Sequence, residues 1–395
     1  MLFSSALDWL RCFFEEWELW LLLGGLVVTG YQFYYYSRYL WLRKDNYPKK
    51  LAEDTLPKVS VVVCAHNENE NLQNYLQSLL SQDYPEYEVI VVDDESEDAT
   101  LVLLEQYARE YPNFYHTFVP QGARVISSKK LALTIGIKAA HYDHILLTDA
   151  DCRPESRTWI REMMRGYDST EKELVIGFSP YFENESWLSS LISYETLFIG
   201  LQYMGMARAG HPYMGVGRNL SYRRDTFFNN NGFQGLLNVR AGDDDLFVSK
   251  VITNYKKSHR KINNVSVVCN PDALTWSAPK RTWREWILQK RRHLSVSSYY
   301  TQSNKIRLIL EPVTRGLFYL TLVISLIVGS HMLQAVMIGI CLFRLLVQLL
   351  VINHATRCLK LGRFGLEIIL HDIMLPIITL YVLAINSIKK QKNYW

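Results

Sequence analysis

Seven aspartates sit at three places in the chain where a backbone change is written into the sequence. Asp93 and Asp94 end the apolar run YEVIVV, Asp149 and Asp151 flank Ala150 after HILLT, and Asp243, Asp244 and Asp245 follow Gly242. Two carboxylates one residue apart make a poor all-protein cage for a hard cation. They suit a Mg²⁺ or Mn²⁺ that completes its shell with water and substrate phosphates. The same pair also fits a polar strand-to-helix turn. The triple invites two readings as well. Carboxylates start helices, but three in a row repel one another, which raises a carboxyl pKa toward what a general base needs. Two basic features answer the acids. Lys129 and Lys130 open a helical stretch, where an ammonium can meet a phosphate or simply face solvent. In TWREWILQKRRHLSVSSYY (Thr282–Tyr300), Trp283, Trp286, Ile287 and Lys290 fall near one helical face and Gln289, Arg292 and His293 near another. Its tryptophans and arginines also suit a helix lying at a membrane surface.

The elements that must hold these residues alternate between strand and helix. VSVVVC (Val59–Cys64), YEVIVVDD (Tyr87–Asp94), FYHTFV (Phe114–Val119) and HILLTD (His144–Asp149) are predicted strands. Helices are predicted over Asn69–Gln82, Ala99–Tyr111 and Lys129–Ala140. Continuous Val/Ile runs mark strands covered on both faces, as in a parallel sheet. Strand–helix alternation then gives right-handed βαβ units and a doubly wound half, with ligands expected at the strands' carboxyl ends. No GxGxxG follows the first strand, which excludes the dinucleotide fingerprint. The stretch Leu174–Val268 is less regular and predicts mixed sheet with connecting helices.

The 395 residues are 49% hydrophobic with a formal charge of only +4, which argues against a general affinity for nucleic acid. Apolar residues are segregated. Leu19–Leu42 contains one charged residue, Arg38, and Val313–Val351 only Arg315 and Arg344. A span needs roughly 20 mostly apolar residues. The first block is thus expected to cross once, and the second to form a hairpin turning near Gly329–His331. A third, Gly365–Ile388, is interrupted by Glu367, His371, Asp372 and Pro376, and is expected to be kinked or partly re-entrant. The acidic leading segment and the missing cleavage site predict a retained anchor rather than a signal peptide. Arg43, Lys44, Lys49 and Lys50 just after it predict a cytoplasmic central domain, although a basic tail, Lys389–Lys392, conflicts with simple alternation. The expected division is an anchor over 1–45, a catalytic domain over 46–301 and a membrane region of two to three spans over 302–395. The six cysteines form no CxxC pair, and no disulfide is expected.

The order of motifs resembles glycosyltransferase family 2. It runs from VSVVVCAHNENENLQNYLQSLLSQDYPEYEVIVVDDESEDAT through SKKLALTIGIKAA, TDADC, GVGRNLSYRR and GDDDLF to QKRRH, covering about Val59 to His293. The last element resembles the (Q/R)-x-x-R-W box of the membrane-integral branch, which includes cellulose and hyaluronan synthases and ceramide glucosyltransferases. Gln289 and Arg292 match it, and His293 replaces the tryptophan.

The resemblance implies an α/β GT-A fold, Rossmann-like with a mostly parallel sheet, carrying N- and C-terminal transmembrane helices. It implies an integral protein of the inner or plasma membrane that moves a hexosyl group with inversion from a nucleotide sugar, usually a UDP-sugar. The acceptor would be a lipid-linked or glycan hydroxyl. Asp93 and Asp94 would hold base and ribose, with Ala65 and Glu68 in the same pocket. Lys129 would approach the diphosphate, and Asp149 and Asp151 a Mg²⁺ or Mn²⁺. Gly217, Arg218 and Asn219 would shape the donor-sugar side, with Asp243 and Asp245 beside it. Asp244 would be the base, and Asp243, Gln289 and Arg292 would complete the catalytic set. His293 stacks on a sugar less well than tryptophan and can titrate, so the replacement bears on the acceptor and on processivity. Two alternatives remain: a processive polysaccharide synthase, and a non-catalytic sugar-nucleotide sensor or scaffold.

Overall fold

The computed structural model describes residues 15–40, 42, 55–120, 122, 128–182, 186–239, 241–258 and 264–388. The chain divides into two compact units, Leu42–Tyr300 and a second made of Met1–Trp41 with Thr301–Trp395. The basic cluster at 43–50, the tail at 389–392 and Cys12 lie outside the described residues.

In the first unit the Val/Ile runs become the centre of a seven-stranded sheet. Strands β1 (Val59–Ala65), β2 (Tyr87–Asp93), β3 (Phe114–Phe118) and β4 (His144–Asp149) pair in parallel in the order β3-β2-β1-β4. β-branched side chains suit this doubly covered position, and Val59, Val61, Val62 and Val63 are fully buried. After the two-residue β5 (Arg153–Pro154) the sheet turns mixed. Strands β6 (Leu174–Ile176), β7 (Leu220–Arg223) and β8 (Val265–Val267) extend it, with β7 antiparallel to both β4 and β6, and β8 parallel to β6. A parallel half joined to a mixed half is what the sequence pattern predicts.

Helices cover the sheet. In chain order after α1 (Glu16–Tyr39) come α2 (Asn69–Leu80), α3 (Thr100–Glu110), α4 (Ser128–Ala139) and α5 (Trp159–Met164). Leu72, Leu76, Leu79 and Leu80 of α2 fall on one face and enter the same core as Val59, Val61 and Val63. Helix α4 lies so close that a Cβ at Gly136 would stand 2.5 Å from Val62 and 3.0 Å from Val92. Gly136→Ala should therefore cost about 1–3 kcal/mol through overpacking, read as a lower thermal midpoint of the full chain. An unchanged midpoint would mean the sheet yields there. Further on lie α6 (Trp187–Arg208), α7 (Arg224–Asn229), α8 (Asp245–Lys257), a short strand β9 (Thr275–Trp276) paired with β5, and α9 (Trp283–Val296).

The second unit is a helical bundle of α1 with α10 (Gln302–Val328), α11 (His331–Leu359) and α12 (Glu367–Ile388). Among the described residues, α10, α11 and α12 are long and apolar enough to cross a membrane; α1 is not one of these three. The α10–α11 turn falls at Gly329–Ser330, where the hairpin is expected. Pro376 lies inside a continuous α12 rather than at a break. Helix α1 packs against α10 and α11. Its Glu18 carboxylate accepts from the Ser330 backbone N–H and hydroxyl at the start of α11.

The ionisable residues of these blocks meet inside the bundle. Asp372 accepts from Arg344 at 2.8 Å, Arg315 at 3.2 Å, Gln348 at 2.8 Å and Tyr319 at 2.6 Å. Arg315 also donates to Glu311 at 2.6 Å. From α1, the Tyr36 hydroxyl and Gln32 Oε1 face Arg344, and Gln32 Nε2 donates to Thr314 at 2.6 Å. Two guanidiniums against two carboxylates make the group neutral, and all four residues are buried. Buried charges persist when they are paired in this way.

Candidate active site

Parallel pairing brings the carboxyl ends of three strands level. Ala65 pairs with Asp93 and Cys64 with Asp149, so the first two aspartate clusters share one sheet edge. The chain turns sharply there: Asn67 and Glu95 have φ of 56° and 55°, in the left-handed region. The Asp94 N–H donates to the Ala65 carbonyl at 2.8 Å, closing the β1 and β2 ends together. Asp93 and Asp94 are both buried, and Asp93 Oδ1 has no hydrogen-bond partner among the described residues. A buried acceptor without a donor is costly, and the N–H of a nucleotide base would satisfy it. Glu68 lies half-buried at the start of α2. Burial first, then the charges of Asp151 and Asp149, push its carboxyl up.

Lys129, in the first turn of α4, bridges two clusters. Its Nζ lies 2.8 Å from Asp149 Oδ1 and 3.4 Å from Asp243 Oδ2. Burial opposes its charge, but Asp149 and Asp243 outweigh burial and hold the ammonium well above the usual lysine range. Asp151 accepts from the Ser277 hydroxyl at 2.9 Å. Lys130 is fully buried and donates to the Val239 and Ala241 carbonyls, pinning the loop that leads into the acidic triple.

The triple itself divides into three roles. Gly242 takes φ +81°, and a Cβ there would meet Leu246 at 2.6 Å, so only glycine fits before it. Asp244 caps α8: its Oδ1 accepts from the Asp245 N–H at 2.8 Å and its Oδ2 from the Gly217 N–H at 2.7 Å. Burial and then Asp243 push the Asp244 carboxyl up, with the two N–H groups opposing. Asp243 moves the other way, because Lys129 and Lys130 outweigh its burial. Asp245 turns aside to accept from Tyr300 at 2.6 Å, and burial followed by Asp244 pushes it up to about 8.

Helix α9 presents two faces, as its spacing predicts. Trp286 and Lys290 are buried, with Lys290 paired to Glu195 on α6. Gln289 donates to the Tyr181 hydroxyl at 3.1 Å, and the Tyr181 ring carries the Arg218 guanidinium 4.5 Å from its centroid. Desolvation and then the charges of Arg292, Arg218 and Lys290 push the His293 imidazole down. Asp243 acts on it in the opposite sense. Arg292 is exposed on the same helix.

Of the residues expected on the donor-sugar side, Gly217 and Arg218 lie beside the acids, and Asn219 lies behind them. Asn219 is fully buried: its amide donates to Phe178 and Ala273 at 2.8 and 2.7 Å and accepts from Trp159 at 3.1 Å. It fixes the turn from behind. Sequence reasoning missed Tyr181, Ser277 and Tyr300, none of which sits in a recognisable motif. The only signal was a pair of adjacent aromatics in each of two mostly polar stretches, SPYFENES and SVSSYY.

Among the described residues no three His, Cys, Asp or Glu groups form a ready metal cage. Asp149 and Asp151 offer hard oxygen donors only, which fits a Mg²⁺ or Mn²⁺ sharing its shell with phosphates.

Residues 60–228 match the family model described as Glycosyl transferase family 2. Among curated relatives, the probable glycosyltransferase YdaM of Bacillus subtilis (strain 168) is 26% identical over 62% of this chain and 56% of its own. A poly-beta-1,6-N-acetyl-D-glucosamine synthase of Staphylococcus epidermidis is 34% identical over 24% of this chain and 21% of its own. A beta-monoglucosyldiacylglycerol synthase of Synechocystis sp. (strain PCC 6803) is 30% identical over 34% of this chain and 28% of its own. The chain thus spans little more than half of the first of these relatives and less of the others. Among solved structures, a mannosyltransferase from Pyrobaculum calidifontis in complex with GDP-Man and Mn²⁺ superposes with a TM-score of 0.60. It is 17% identical and covers 95% of this chain and 99% of its own, a likeness of fold alone. The fold is GT-A-like, with three C-terminal helices apolar enough to span a membrane.

Proposed function

We propose that this chain transfers a hexosyl group, with inversion, from a nucleotide sugar to the hydroxyl of a lipid-linked or glycan acceptor. The observation that carries the reading is the convergence of Asp93, Asp149, Lys129, Asp243 and Asp244 at one edge of the site. Asp93 and Asp94 bind the base and ribose, and UDP is the favoured nucleotide. A Mg²⁺ or Mn²⁺, when bound, would be held by Asp149 and Asp151 together with the diphosphate and would neutralise charge on the leaving oxygens. Lys129 and Arg292 add fixed positive charge for the same leaving group. Asp244 takes the acceptor's proton as the hydroxyl oxygen forms its bond to the anomeric carbon and the bond to the diphosphate breaks. One displacement from the opposite face inverts the centre. The Gly217 and Asp245 N–H groups hold the base carboxylate in place throughout.

The three apolar helices support an integral membrane protein, and the basic residues after the first apolar block support a cytoplasmic site. Relatives that act on a diacylglycerol lipid and relatives that make a polymer fit the two acceptor classes equally. His293, in place of a stacking tryptophan, favours one or a few transfers over a processive synthase. The test is incubation of the purified full chain with a panel of UDP-sugars, with and without Mn²⁺, in membrane extract. Labelled product is identified by mass spectrometry. A glycolipid or short glycan is expected. A long polymer would favour the synthase, and nucleotide binding without turnover would favour the sensor.

The raised Asp244 carboxyl also sets a pH dependence. The base must be ionised, so kcat/KM should rise with pH along a limb whose midpoint lies above the ordinary aspartate value of about 4. That midpoint belongs to the coupled triple rather than to one residue. A limb at or below pH 4 in the pH–rate profile would count against Asp244 as the base.

A further inference from the structure

We infer that Tyr181 is a positioning residue of the donor site, holding the Arg218 guanidinium so that its Nη1 meets an anionic oxygen of the nucleoside diphosphate. The inference rests on the donor reading above, and three observations carry it. The guanidinium is stacked over the Tyr181 ring at 4.5 Å and its Nη2 donates to the Ser179 carbonyl at 3.1 Å, so the fork is fixed at two points. Its Nη1 is buried and has no hydrogen-bond partner among the described residues. A guanidinium keeps its charge and all five N–H donors at any physiological pH, so the open donor requires an acceptor. Asp151 and Asp149, the residues assigned to the metal–diphosphate unit, lie within electrostatic reach of that guanidinium.

Tyr181 is also tied at its other end. The Gln289 amide donates to its hydroxyl, and a bridge between Tyr181 and Ser277 joins it to the residue whose side chain holds Asp151. One ring therefore links α9, Arg218 and the DAD turn. Nothing in the motif spacing marks it.

The test is calorimetric titration of the full chain in detergent with UDP and with UMP, each with Mn²⁺. Tyr181→Leu removes both the ring face and the hydroxyl; it should weaken UDP about tenfold, the size of a partly desolvated cation–π contact, and leave UMP within about twofold. Tyr181→Phe keeps the stack and should bind UDP as the wild type does. Arg218→Gln should reproduce the Leu variant, and the double variant should be no weaker than Arg218→Gln alone. Equal loss of UMP and UDP would mean the pocket has collapsed and would overturn the positioning role, as would wild-type UDP affinity in Tyr181→Leu. A wild-type chain that binds neither nucleotide removes the donor reading itself. Wild-type binding with an indifferent Tyr181→Leu removes only the role given to Tyr181.

Discussion

Asp244→Asn should lower turnover by roughly 10²–10⁴-fold, the usual worth of a positioned general base, while nucleotide affinity stays close to wild type. The geometry makes the substitution informative. Each Asp244 oxygen accepts one backbone N–H, from Asp245 and from Gly217. An asparagine can satisfy only one of the two, because its Nδ2 is itself a donor. A stability cost of about 1 kcal/mol should therefore accompany the loss of base, the worth of one lost hydrogen bond. Asp149→Ala makes the contrast: it should abolish the Mn²⁺ dependence of UDP binding, whereas Asp244→Asn should preserve it. Activity within tenfold of wild type in Asp244→Asn, with the protein folded, would move the base to Asp243.

The second large effect belongs to the helical bundle. Asp372→Ala should destabilise the chain by about 3–5 kcal/mol, the cost of leaving buried partners of an ion pair uncompensated. Arg315 and Arg344 both lose their shared carboxylate, as do Gln348 and Tyr319. Glu311 then stands against two guanidiniums. The measurement is thermal unfolding of the detergent-solubilised full chain, followed by near-UV dichroism. A midpoint within a degree or two of wild type would show that water or lipid headgroups reach these arginines.

Much of this architecture is visible in the residues themselves. Val59–Cys64 and Tyr87–Asp94 read as buried parallel strands because both of their faces are covered, which leaves an uninterrupted apolar run. Leu72, Leu76 and Leu79 announce α2 by spacing alone. Acids at strand ends locate the site because topology puts those ends on one edge. What stays hidden depends on contacts between distant segments. Arg344, Arg315 and Asp372 look like three isolated charges in apolar blocks, and only helix packing makes them one neutral group. Asn219 reads as a pocket residue from its motif, yet the approach of Trp159 and Ala273 buries it. Lys130 reads as a surface lysine, and its two carbonyl partners lie 109 and 111 residues away.

The bonds from α1 to the rest of its bundle have a consequence for the order in which the molecule is made. Glu18 meets Ser330 and Gln32 meets Arg344, each pair 312 residues apart in sequence. At about 5–20 residues per second, the ribosome needs roughly 15–60 s between one partner and the other. The catalytic unit is synthesised wholly within that interval. The first helix therefore enters its environment alone, with Glu18 and Gln32 still waiting for partners, and the bundle closes only after the enzyme-like domain has emerged. A chain cut short before Arg344 would carry a complete site on an unfinished bundle.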